Sequence, residues 1–148
     1  MEVHCPVMSA PRFQIENTAL LVVDMQEKLV PMMHNSQSLV QQVGRLIDGA
    51  SALKLPVLVT EQYRKGLGVT VPELAGRLHG AVCNQEKLKF SACIEPVRDH
   101  LAHSRAHAVM VCGIEAHVCV LQTCLDLLDN GFVAALVVDA IGSRRDVP

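Results

Sequence analysis

Three side chains in this sequence have the chemistry of a nucleophilic site: the carboxylate of Asp24, the ammonium of Lys87 and the thiol of Cys119. Asp24 ends an apolar run, Lys87 lies in Glu86-Lys-Leu-Lys-Phe-Ser-Ala92, and Cys119 closes Cys112-Gly-Ile-Glu-Ala-His-Val-Cys119. A helix N-terminus and a nearby cation both lower a thiol pKa, so Cys119 is expected below the free value of ~8.5. Asp24 can take the thiol proton and return it to a leaving group. Backbone N–H groups in the turn from Gly113 to Cys119 can hold an oxyanion. Each residue also has a plainer reading. An Asp at a strand end is commonly a loop hydrogen-bond acceptor, a Lys beside another Lys is commonly solvated, and a Cys in an apolar helix is commonly a small core residue. Spacing alone leaves both readings open.

Other chemistries fit the same stretch less well. Cys112, His117 and Cys119 do not have zinc-ligand spacing, and no second ligand pair accompanies them. The two cysteines are not a C-x-x-C redox pair. Neither G-x-G-x-x-G nor a phosphate-binding P-loop occurs in the chain.

Strands and helices must bring these residues together. Thr18-Ala-Leu-Leu-Val-Val-Asp24 is a continuous apolar run of the kind a buried parallel strand needs. From Ser38, the residues Leu39, Val43, Leu46, Ile47, Ala50 and Leu53 follow helical spacing. Pro56–Thr60 reads as a second strand, and the weaker Ala81–Asn84 as a third. Ser91 is expected to cap a helix carrying Ile94, Val97 and Leu101. Ala108–Gly113 reads as a fourth strand. It leads into a helix from about Ala116 to Asn130, which Gly131 stops. Phe132–Asp139 is the fifth strand. Strands alternating with helices predict an α/β fold with a parallel sheet covered on both faces. In such a sheet, ligands bind beyond the carboxyl ends of the strands, where Asp24, Lys87 and Cys119 all fall. The segment Ala140–Pro148 looks like a loop entering another helix, with Ser143 as its cap, so the domain is expected to be truncated at its C-terminus.

Composition narrows the class. The chain of 148 residues suits one domain with a sizeable core. Half the residues are hydrophobic, but there are only three Phe, one Tyr and no Trp, so the core must be aliphatic. The net charge is −2 with no basic stripe, which argues against a nucleic-acid partner. No apolar run approaches the ~20 residues of a membrane helix. The first twelve residues lack a secretory signal's apolar stretch. The six cysteines sit mostly in apolar runs and read as free buried thiols. The expected compartment is the cytoplasm, with the mitochondrion as an alternative.

Four segments in order resemble the isochorismatase-like cysteine hydrolases. Leu20-Leu-Val-Val-Asp24-Met-Gln26 is similar to that family's first strand with its D-x-Q ending. Lys87-Leu-Lys-Phe-Ser-Ala92 is similar to its K-x-x-[FY]-S-[AM] segment, and Val111–Val120 to its glycine-to-cysteine segment. Val137-Val-Asp-Ala140 is similar to its fifth strand end. Thr60–Gly68 with Val71–Leu74 is similar to the isochorismatase domain-containing subgroup. The likeness runs from about Ala19 to Ser143.

The resemblance implies a Rossmann-like three-layer fold, with parallel strands ordered 3-2-1-4-5-6 and the sixth missing from this chain. It divides the chain into an N-terminal extension, 1–17, and a hydrolase domain, 18–148. It implies a triad of Asp24, Lys87 and Cys119, with Lys87 rather than Lys89 because the family lysine stands four before the serine. It implies a cis peptide between Ile114 and Glu115, an oxyanion hole from the N–H groups of Glu115 and Cys119, and a supporting role for Gln26. Nicotinamidases of the family carry an Asp-x-His metal motif after the second strand. Here Glu61-Gln-Tyr63 stands there, so no metal and no cofactor are expected. Isochorismatases proper do not use the cysteine as a nucleophile. The implied substrate is therefore a small amide, carbamoyl or ester-like molecule, cleaved most often at a C–N bond. A non-catalytic oligomeric scaffold of the same fold is the alternative, and a ribonuclease a weaker one. The high apolar fraction predicts a homo-oligomer, a dimer or larger.

Overall fold

In the computed structural model, which describes residues 11–146, the run Thr18–Val23 forms β1, and all six of its residues are buried. Cys5 and the first ten residues of the expected extension lie outside the described range. Burial on both faces is what a central parallel strand imposes, and an unbroken apolar run satisfies it. The other strands are β2 (Val57–Gln62), β3 (Cys83–Lys87), β4 (Ala108–Ile114) and β5 (Val133–Gly142). They form one sheet in the order β3-β2-β1-β4-β5, and every neighbouring pair is parallel. The expected α/β architecture and strand order are observed.

Helices cover both faces. Helix α1 (Ser36–Ala52) turns Leu39, Val43, Ile47 and Ala50 onto Leu20, Val22, Cys112 and Ile114 on one side. The short helices α2 (Arg64–Leu67) and α3 (Pro72–Ala75) lie between β2 and β3. On the other side, α4 (Glu95–His103) and α5 (Leu121–Asp129) pack Val97, Leu101, Cys124 and Leu127 against Leu21, Val23, Val109 and Val111. A single π-helical turn, Ala116–Val120, joins β4 to α5. Alternate residues of β1 thus serve alternate cores, which is the two-residue period of a strand.

Several expected boundaries move. The third strand is Cys83–Lys87, not Ala81–Asn84. It is an edge strand, so its polar residues need no apolar pattern, and pairing of Thr60, Glu61 and Gln62 with Gln85, Glu86 and Lys87 sets its extent. Ser91 does not cap α4. Ile94 is the N-cap residue, and the Ser91 hydroxyl accepts the Cys93 N–H at 3.1 Å. Strand β5 continues to Gly142, because its register shifts opposite Val111 and Gly113 of β4 and it pairs again at Ile141 and Gly142. Among the described residues Ser143 caps no helix; its hydroxyl donates to the Arg145 carbonyl at 2.6 Å. Helix α5 exposes Leu121, Leu125 and Leu128 at helical spacing, and β5 exposes Leu136 and Val138.

Candidate active site

Asp24 follows β1 directly, Lys87 is the last residue of β3, and Cys119 lies in the π-helical turn after β4. The strands run the same way, so these three positions share one rim of the sheet. Two backbone features tighten that rim. Gly113 has φ +117°, and a Cβ there would overlap the Val23 carbonyl oxygen. Only glycine lets β4 pass so close to the end of β1. Asp24 has φ +53°, in the left-handed region that Asp tolerates better than most residues. The peptide bond between Ile114 and Glu115 is cis.

The Lys87 Nζ donates to Asp24 Oδ2 at 2.7 Å, and both side chains are fully enclosed. The ammonium also reaches Gln62 Oε1 at 2.7 Å, the Phe90 carbonyl at 2.8 Å and the Lys89 carbonyl at 3.0 Å. Four acceptors around three protons fix the cation in place and satisfy it inside the protein. The other carboxylate oxygen of Asp24 accepts the Thr60 hydroxyl at 3.0 Å. Burial pushes the Asp24 pKa up, and the Lys87 charge offsets part of that rise. Gln26 is fully buried and braces the neighbouring strand. Its Nε2 donates to the Gln62 and Gly68 carbonyls at 2.7 and 2.8 Å, and its Oε1 accepts the Gln62 N–H at 2.6 Å.

The Cys119 thiol lies near enough to both members of the pair for their charges to act on its pKa. Its pKa is not lowered as its position at a helix start predicts. Burial, and then the Asp24 charge, push it up to about 12 against the opposing pull of Lys87. Desolvation of the thiolate outweighs the cation here, because the carboxylate neutralises that cation. At neutral pH the thiol therefore keeps its proton, beside a carboxylate that can accept it. Cys112 is a buried strand residue, also raised to about 12 by burial alone. His117 stays on the surface, with Nδ1 4.0 Å from Glu115 Oε2. The Glu115 carboxylate also accepts Arg144 Nε at 3.0 Å. Within the turn Ala116–Val120, the Val118 and Val120 N–H groups on either side of Cys119 both donate to the Glu115 carbonyl at 3.1 Å.

Three residues of the rim escaped the sequence reading. Thr60 and Gln62 lie two apart on β2, so they share a face of the strand. Polar residues at the end of an otherwise apolar strand were the available signal. Thr123 lies one helical turn beyond Cys119. Its hydroxyl donates to the Cys119 carbonyl at 2.6 Å and accepts the Ala92 N–H at 2.8 Å. Among the described residues, no group of three or more His, Cys, Asp or Glu side chains is placed to hold a metal ion. A cavity of about 400 Å³ lies apart from the three reactive side chains, lined by His34, Asn35, Ser38, Asp139 and Arg145 among others. Of the three, Cys119 keeps the most exposure, at 9%.

Residues 18–147 match the isochorismatase domain model. The zebrafish isochorismatase domain-containing protein 2 is 37% identical over 134 residues, covering 90% of this chain and 66% of its own length. A solved structure of the MAR1 ribonuclease from Caenorhabditis elegans is 45% identical with a TM-score of 0.87, covering 91% of this chain and 69% of that one. YcaC from Pseudomonas aeruginosa, solved with hexane-2,5-diol and covalent acrylamide, is 25% identical with a TM-score of 0.86, over 93% of this chain and 70% of that one. The chain spans just under two thirds of the length of the curated relatives it matches. Among the described residues, no helix is long and apolar enough to cross a membrane.

Proposed function

The chain belongs to the isochorismatase family, and from that premise we propose that it is a cysteine-dependent hydrolase of a small amide, carbamoyl or ester-like substrate. The observation that carries this reading is the buried Asp24–Lys87 ion pair at 2.7 Å, on the same rim of the sheet as Cys119. Asp24 takes the thiol proton as sulfur attacks the substrate carbonyl carbon. A C–S bond forms and the carbonyl π electrons move to oxygen. The N–H groups of Glu115 and Cys119 receive that oxyanion. As the carbonyl re-forms, the C–N or C–O bond breaks, and Asp24 gives its proton to the departing nitrogen or oxygen. Water then attacks the thioester and loses a proton to Asp24. The C–S bond breaks and the thiol recovers that proton. Lys87 stays a cation throughout and holds the Asp24 carboxylate in place. These steps use no metal and no cofactor.

A raised thiol pKa agrees with this order of events, because proton transfer accompanies attack rather than preceding it. The covalent acrylamide in the P. aeruginosa relative supports a nucleophile that small uncharged electrophiles can reach. The ribonuclease reading rests on three solved relatives, 32–45% identical, that are called MAR1 ribonucleases, two of them provisionally. The net charge of −2 and four aromatic residues offer no cationic track or stacking platform for RNA. The exposed leucines of α5 support a homo-oligomer. Hydrolysis of a panel of small amides, carbamates and esters tests the proposal, with RNA as a further substrate. Turnover lost in Cys119→Ser supports it. Turnover retained in that variant, or cleavage of RNA alone, overturns it.

A further inference from the structure

We infer that Thr123 is the positioning residue that holds Cys119 in register with the Asp24–Lys87 pair, an inference that rests on Cys119 being the nucleophile. Thr123 is wholly buried on α5. A hydroxyl has one proton to give and lone pairs to receive. Here the proton goes to the Cys119 carbonyl at 2.6 Å, and the oxygen receives the Ala92 N–H at 2.8 Å. Both bonds therefore run through one atom.

That atom joins the segment after β3 to the turn after β4. Ala92 stands two residues beyond Phe90, and the chain from Lys87 to Phe90 curls around its own ammonium through the Lys89 and Phe90 carbonyls. The connection runs from the Cys119 backbone, through the Thr123 hydroxyl and the Ala92 amide, to the loop that encloses the Lys87 cation. The π-helical turn at Ala116–Val120 gives this link its purpose. A π turn is a local departure from α-helical bonding, so the position of Cys119 is not set by regular helix geometry alone. The Thr123 hydroxyl supplies the missing constraint from outside the turn.

The expected consequence is specific to base-assisted chemistry. Without the hydroxyl, Cys119 and Asp24 lose their mutual alignment. The thiolate formed at high pH needs no such alignment. The test is the rate of acrylamide addition to Cys119 against pH, followed by peptide mapping of the intact chain, with Cys124 as reference. In the unaltered protein, Cys119 outruns Cys124 at neutral pH. In Thr123→Val, Cys119 slows about tenfold or more at neutral pH, as small misplacements do at reacting centres, while its rate at high pH and the rate of Cys124 hold. Thr123→Ser restores the neutral rate. Thr123→Ala, which removes the hydroxyl and leaves no group to bridge Ala92 and Cys119, is the second variant if Thr123→Val does not fold, and the same slowing is expected.

Three results overturn the inference while leaving the nucleophile in place: an unchanged Cys119 profile without the hydroxyl, no recovery in Thr123→Ser, or Cys124 changing as much as Cys119. If Cys119 does not outrun Cys124 in the unaltered chain, the nucleophile fails and the positioning role falls with it.

Discussion

The Lys87 ammonium stands 2.7 Å from the Asp24 carboxylate, in a pair whose side chains are 1% and 0% exposed. Removing one member of such a pair strands a charge in the core, which costs roughly 3–5 kcal/mol. Lys87→Ala is expected to lose about that much stability in urea unfolding. Replacing both residues, as in Asp24→Leu with Lys87→Met, is expected to recover most of it. A loss below about 1 kcal/mol in the single variant would show that water reaches the pair.

Two thiols make the fold sensitive to alkali. Burial raises Cys112 and Cys119 from 9.0 to about 12, so the folded state holds both protons more tightly than the unfolded chain. The resulting stabilisation is complete below pH 9 and is lost as pH rises through about 12. At Cys112 it amounts to about 4 kcal/mol. Urea midpoints are expected to fall steeply over that range, and less steeply in Cys112→Ala. An equal slope in both proteins would contradict the burial of Cys112.

The same raised pKa governs reactivity at Cys119. Little thiolate exists at neutral pH, so any advantage over other cysteines must come from Asp24. Acrylamide is expected to modify Cys119 ahead of Cys83, Cys93, Cys112 and Cys124, and Asp24→Asn should erase that lead. Mass spectrometry that placed Cys119 last in the native protein would sink the catalytic reading.

Gly113 carries a different kind of constraint. Its φ of +117° and its contact with the Val23 carbonyl leave no room for a Cβ. Gly113→Ala must push β4 from the end of β1, and Asp24 follows Val23 there. The expected result is a loss of about 1–3 kcal/mol, together with a slower Cys119. Stability within about 0.5 kcal/mol of the unaltered protein would show that the strands can part cheaply.

An oligomer is expected from the surface of α5 and β5. Leu121, Leu125, Leu128, Leu136 and Val138 are 47–81% exposed. Exposed apolar patches tend to be covered by a partner. Sedimentation at micromolar concentration should show a species larger than one chain, and Leu125→Lys with Val138→Lys should reduce it. A monomer in the unaltered protein would rule the oligomer out.

The amino-acid order by itself determined the α/β class, the central place of β1, the apolar face of α1, and the arrival of Asp24, Lys87 and Cys119 at strand ends. These are local properties, because a two-residue or 3.6-residue period is visible within one segment. Tertiary structure alone decided the rest. The register of β3 came from pairing with β2, since an edge strand carries little pattern of its own. Ser91 looked like a cap, but the chain around it is held by bonds from elsewhere, including that of Ala92 to Thr123, 31 residues further on. The thiol pKa reversed its expected direction for the same reason. A helix start and a nearby lysine can be read along the chain, whereas the loss of water around Cys119 is a sum over neighbours from several segments. The Asp24 carboxylate that sets the balance is joined to Lys87 across 63 residues of sequence. Desolvation and hydrogen-bond closure exist only once the chain has packed.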